Sequence, residues 1–162
     1  MKVDELFKGL KRLKNGDYLL EGDLISNESL EIDLNDRLIV MGSIVAKTNI
    51  MAGRSIMAGR GIIAGEYIEA GWGIEAGRGI MAGDGIKAGE GIKAGWGIKA
   101  GRGIMAGEGI KAGEYIEAGA RIFAGVSPHH DSTYCDKTIK CAELKAGEIC
   151  YGDLILTGKE KG

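Results

Sequence analysis

The side chains with obvious chemistry lie near one end of the chain. His129, His130, Cys135, Cys141 and Cys150 offer imidazole and thiolate groups, the donor mix of closed tetrahedral zinc sites. Their spacing does not favour such a site. Five and eight residues separate the three cysteines, and the short Cys-x-x-Cys knuckle is missing. The competing reading is that these thiols are small buried apolar residues. An odd number of cysteines at one end also makes no secreted disulfide framework. No Ser-His-Asp set, phosphate loop or paired-carboxylate signature accompanies them. No catalytic residue and no cofactor is therefore assigned, and zinc is the one metal for which the chain offers candidate ligands.

A second group of informative residues lies on a repeat. Isoleucine recurs every six positions from Ile44 through Ile62, Ile80, Ile98 and Ile116 to Ile122, and the same phase runs back to Leu38 and Ile32. The unit is Ile-x-Ala-Gly-x-Gly. On a strand, Ile and Ala two apart face the same side, so they form the interior. A fixed short period of this kind marks a solenoid. The first Gly is present in every unit from Gly53 to Gly125, with Lys47 the lone departure; a left-handed corner is the expected reason. The second Gly gives way to Asn49, Ser55, Tyr67, Tyr115 and Arg121, so that position tolerates side chains.

The variable positions form the outer surface. They include Met57, Met81 and Met105 beside the isoleucines, and Trp72, Trp96, Arg78 and Arg102 at the corners. Trp is enriched at binding hot spots, and Met suits adaptable contact surfaces. These seven residues are the candidate interface. They recur in phase because residues 70–81 are echoed at 94–105. The echo leaves two coil sizes open. Four hexads per coil would stack Trp72 on Trp96. Three would set Glu69 beside Lys87 and Arg54 beside Trp72, and three is the preferred reading.

The array needs ends. Residues 1–16 read as an amphipathic helical cap with Leu6, Phe7, Leu10 and Leu13 on one face and a basic opposite face. Residues 17–43 read as degenerate first coils, 44–125 as the regular array, and 126–162 as a C-terminal loop with capping strands. In that last segment apolar residues return at a spacing of five: Ile139, Leu144, Ile149 and Leu154. The expected fold is all-β, a single-stranded parallel β-helix with an α-helical N-terminal cap and a β C-terminal cap.

Composition narrows the function. The 162 residues carry a net charge of −2, so there is no global drive toward nucleic acid, and no basic groove is evident. The 29 glycines follow neither a collagen period nor a disordered pattern. The N-terminus lacks a signal-peptide pattern and no apolar run is long enough for a span, so a cytoplasmic protein away from membranes is expected.

The Ile-x-Ala-Gly-x-Gly array resembles two groups of parallel β-helix proteins. It is similar to hexapeptide-repeat acyltransferases in period and inward aliphatic position. It departs in having Ala two after the aliphatic residue rather than a small residue two before it. That resemblance also implies a catalytic histidine near a coil interface, whereas His129 and His130 lie beyond the array. The array likewise resembles bactofilin-type polymer-forming β-helices, which implies end-to-end assembly through uncapped coils. The sequence as a whole reads as a non-enzymatic interaction protein, a homodimer or small oligomer, that presents a rigid surface to a protein partner. An inhibitor or adaptor is the expected form, for example a phage or mobile-element inhibitor of a host defence nuclease. A self-assembling structural protein and an acyltransferase are the alternatives.

Overall fold

Short alternation and β-branched isoleucine favour strands, and the glycines interrupt them. Each hexad becomes a strand of three or four residues followed by a corner, as in Ile62–Ala64, Tyr67–Ala70 and Ile74–Ala76. The computed structural model describes residues 1–125, 138–141 and 143–157. Throughout the array, strands pair in parallel with those eighteen positions away: Ile62 aligns with Ile44 and Ile80, Ile68 with Ile50 and Ile86, and Ile74 with Ile56 and Ile92. Three hexads therefore close one coil, and the four-hexad alternative falls.

The result is a three-sided parallel β-helix. The first face carries Ile44–Ala46, Ile62–Ala64, Ile80–Ala82 and Gly97–Ala100. The second carries Ile50–Ala52, Tyr67–Ala70, Gly85–Ala88 and Ile104–Ala106. The third carries Ile56–Ala58, Ile74–Ala76, Ile92–Ala94 and Ile110–Ala112. Isoleucine and alanine of all three faces meet in one continuous buried core.

The corners are hydrogen-bonded from coil to coil as well. The Gly83 N–H donates to the Ala64 carbonyl (3.2 Å), and the Asp84 N–H donates to the Glu66 carbonyl (2.8 Å). This continuous ladder, rather than handedness, explains the first glycine. None of these glycines has a positive φ except Gly125, so the left-handed expectation is overturned. A Cβ placed on Gly65, Gly83 or Gly101 would instead collide with the backbone carbonyl of the coil beneath. Close approach of backbone to backbone excludes every larger residue. One exception fits this cause. Gly53 would meet nothing within 4 Å, its corner standing on that of a predecessor of different length; Lys47 stands over a corner of ordinary length, Leu24 to Leu30, and has no such explanation.

That predecessor spans twenty residues, because Tyr18 aligns with Leu38, Leu24 with Ile44 and Leu30 with Ile50. The core column thus passes through Leu30. Ile32 aligns with Ala52, in the alanine position rather than the isoleucine column where the six-residue phase puts it, because the 33–37 stretch holds two extra residues. Its Leu34 is buried.

The N-terminal helix is absent. Lys2–Val3 pairs in parallel with Glu31–Ile32, and Leu10–Arg12 runs antiparallel to Tyr18–Leu20. The open edges of the first coil offer unpaired backbone groups that a strand satisfies and a helix cannot. Gly9, at φ 88°, breaks the helical stretch, and a helix this short is marginal alone. Phe7 and Leu10 still pack on the core, while Leu6 is 93% exposed.

At the C-terminus the spacing of five is a shortened coil. Ile139 aligns with Ile110, Leu144 with Ile116, Ile149 with Ile122, and Leu154 with Ile139. One coil there takes fifteen residues. Its corners shrink, and Glu143–Tyr151 runs across two faces alongside Tyr115–Ala124, with an irregularity where they turn. Among the described residues, no helix is long and apolar enough to cross a membrane.

Candidate functional site: the tryptophan edge

The three edges of the prism carry the corner side chains in vertical files. The edge between the second and third faces reads Arg54, Trp72, Glu90, Glu108. The edge between the third and first reads Arg60, Arg78, Trp96, Glu114. The edge between the first and second reads Glu66, Asp84, Arg102. Each member stands one coil, eighteen residues, above the last.

This geometry disperses the seven-residue interface set. A 24-residue echo on an 18-residue coil advances by one face at each recurrence. Met57 therefore lies on the third face, Met81 on the first and Met105 on the second. Trp72, Trp96 and Arg102 fall on three different edges. Arg78 and Trp96 do meet, with the guanidinium carbon 5.9 Å from the ring centroid. Arg54, which shares the 24-residue phase of Arg78 and Arg102 but stands outside the seven-residue set, lies closer still over Trp72, at 4.6 Å. Its signal in the sequence is the eighteen-residue step. Arg102 is held by Asp84 at 3.2 Å.

The edge bearing Trp72 borders a groove. The second-glycine positions Gly73, Gly91 and Gly109 leave its floor without side chains. Ser55 closes one end, its Oγ accepting a hydrogen bond from the Gly73 N–H at 3.1 Å. Glu90 and Glu108 stand on one wall, and Met57, Glu75, Lys93 and Lys111 stand on the other; the groove holds about 310 Å³. A neighbouring hollow of about 360 Å³ continues it past Trp72 and Arg54 to Asp36 and Arg37. Arg37 is itself tied to Asp17 at 3.3 Å, and Lys93 to Glu75 at 3.1 Å. Trp72 is 48% exposed, so its ring presents a large apolar surface on which the Arg54 guanidinium stacks. An amphipathic groove crested by an indole can receive an extended peptide or a protein loop, with an aromatic anchor and polar walls on both sides.

The candidate metal ligands divide. Cys141 takes the alanine position of its strand, follows Ile139 inward and is fully buried. Burial pushes its thiol pKa up, with a hydrogen bond to the Ile116 backbone acting against that shift. Cys150 follows the inward-facing Ile149 and lies on the outer side of another face. Its thiol is also shifted up, first by desolvation and then by Glu148. One inward and one outward thiol on different faces cannot share a tetrahedral ion. His129, His130 and Cys135 lie outside the described residues. Among those described, no three His, Cys, Asp or Glu side chains cluster to hold a metal.

Fold and edge together define a three-sided parallel β-solenoid with arginine-stacked tryptophans on its corners. Comparison with protein-family models, with curated proteins and with solved structures gave no match.

Proposed function

We propose that this chain is a non-enzymatic interaction protein of the cytoplasm that presents the Trp72 edge to a protein partner. The observation that carries this reading is the half-exposed Trp72, stacked on Arg54 at the crest of the groove. Large rigid aromatics at groove margins are where binding energy concentrates, and the parallel ladder leaves little conformational freedom to lose on binding. The repeats are of hexapeptide type, and the protein works as an inhibitor or adaptor, the phage or mobile-element inhibitor of a host nuclease being one such role. The test is affinity capture from host lysate with wild type and with Trp72→Ala, after circular dichroism shows both are folded. A protein retained by wild type and reduced tenfold or more by Trp72→Ala supports the reading. Identical retained sets refute it.

A second reading is end-to-end self-assembly of bactofilin type. One feature favours it: Asp153–Leu156, which ends its sheet among the described residues, exposes Leu154, Ile155 and Leu156, and a strand edge is a template for another chain. Light scattering over a concentration series separates the readings, since a polymer grows with concentration and a binding module keeps a fixed mass.

A further inference from the structure

The first face differs from the other two in what it turns outward. Its outer file begins Ile25, Val45, Ile63, Met81, four apolar residues on consecutive paired strands. Ile25 is 61% and Ile63 42% exposed. Neighbouring strands stand about 4.8 Å apart, so these side chains form an unbroken apolar spine of the kind that marks an interaction surface. Further along, the file turns polar, with Lys99 and Glu117 joined at 3.0 Å.

The flanks of this face identify what covers the spine. Each strand of the first face is preceded by one corner residue and followed by another. Ile62–Ala64 stands between Arg60 and Glu66, Ile80–Ala82 between Arg78 and Asp84, and Gly97–Ala100 between Trp96 and Arg102. Two copies placed face to face about a twofold axis parallel to the coil axis keep every coil at its own height and exchange left flank for right. Arg60 of one copy then meets Glu66 of the other, Arg78 meets Asp84, and Trp96 meets the Arg102 guanidinium. Every pair occurs twice, as an isologous interface requires. The same operation fails on the other faces. On the second it opposes Asp84 with Glu90. On the third it opposes Arg54 with Arg60, and Glu108 with Glu114. The antiparallel twofold that superposes the whole spine sets Arg60 and Arg78 against Gly42 and Gly22 and opposes Asp84 with Glu28. Of the three faces in the parallel orientation, the first alone joins a four-residue apolar spine to arginine-on-acid flanks, although beyond the spine Lys99 and Glu117 each face their own copies.

We infer that the chain forms a homodimer through its first face, with parallel coils, a spine of Ile25, Val45, Ile63 and Met81, and reciprocal Arg60–Glu66 and Arg78–Asp84 pairs. The edge opposite the first face is the one bearing Trp72. The dimer therefore turns its two Trp72 grooves outward in opposite directions, which, resting on the function proposed above, makes the protein a bivalent binder.

Sedimentation equilibrium tests the interface by itself. Wild type should have twice the 17.1 kDa chain mass. Ile63→Asp buries a charge in the spine and should raise the dimer dissociation constant a hundredfold or more. Arg60→Glu and Glu66→Arg each oppose like charges twice and should each weaken self-association about tenfold. Mixing these two variants restores both pairs, because the Arg60→Glu copy carries acid at both positions and the Glu66→Arg copy carries arginine at both. A 1:1 heterodimer should return to within about threefold of wild type. That rescue also shows that each variant is folded. A monomeric wild type, a mass indifferent to Ile63→Asp, a mixture no tighter than its components, or a ladder of masses above the dimer would each overturn the inference. Trp72→Ala should leave the mass unchanged, so loss of partner capture and loss of dimerisation are read separately.

Discussion

The middle of this molecule and its two ends build the same three-sided cross-section from different lengths of chain. A coil takes twenty residues near the N-terminus, eighteen through the array and fifteen near the C-terminus. In all three the inward aliphatic residue stays aligned, Leu30 under Ile50, Ile62 under Ile80, and Ile139 under Leu154. What varies is the corner. Extra residues bulge out at 33–37, and missing ones merge two strands into one at 143–151. The lesson is that the buried column and the sheet ladder set the fold, and that corners absorb length until backbone meets backbone. Where the corner beneath is longer, as under Gly53, the steric need for glycine lapses.

The contrast can be broken first in the core. Ile80→Ala removes a side chain that is 1% exposed in the middle of the array and should cost about 3–4 kcal/mol. Ile149→Ala, at the partly buried column position of the fifteen-residue coil, should cost about 1–2 kcal/mol. Urea midpoints followed by circular dichroism report both, and equal losses would mean the end coil is as tightly packed as the array.

A sharper version compares two glycines at one motif position. Gly83→Ala forces a Cβ onto the Gly65 carbonyl, which cannot move without breaking the ladder, so about 1–3 kcal/mol should be lost. Gly53→Ala meets nothing within 4 Å and has no positive φ. It should be neutral or stabilising by up to about 1 kcal/mol through the unfolded chain. Equal destabilisation by both variants would restore a backbone-angle explanation.

The smallest effect separates the N-terminal clasp from the array by pH. The Tyr18 hydroxyl donates to the Glu5 carboxylate at 2.6 Å, and the Asn35 amide donates at 3.0 Å. The Tyr18 bond first, and then the Asn35 bond, hold the Glu5 carboxyl below the ordinary carboxylate range. A lowered acid stabilises above its unfolded pKa and loses that contribution as pH falls through the folded value. Amide exchange at Lys2–Val3 and Leu10–Arg12 should therefore quicken, beyond the intrinsic pH trend, on acidification below the ordinary carboxylate range. Tyr18→Phe should remove most of that dependence, and array amides should not follow it.

Much of this is legible in the chain. Ile-x-Ala at a period of six separates inside from outside residue by residue, because alternation on a strand is a local property. It also yields the Glu69–Lys87 and Arg54–Trp72 neighbours once three hexads are taken per coil, and the structure holds them at 2.7 Å and 4.6 Å. The N-terminal segment misleads because residues 3–14 carry a helical pattern, while the open edge of the first coil favours a strand. Ile32 misleads because a two-residue insertion shifts phase without leaving a mark on the alternation. The interface set reads as one patch because the 24-residue echo repeats its members in phase, yet that echo is incommensurate with the coil.

The sequence by itself determined that the protein is a solenoid, which side chains line its core, and which face out. Those follow from short-range periodicity and the chemistry of single residues. Only the tertiary structure decided which outward residues are neighbours. That depends on the number of residues per turn, set by how three strands and their corners close around the isoleucine column. Closure at eighteen residues separates Trp72 from Trp96, places Arg54 on Trp72, and flanks one apolar face with arginine on one side and acid on the other.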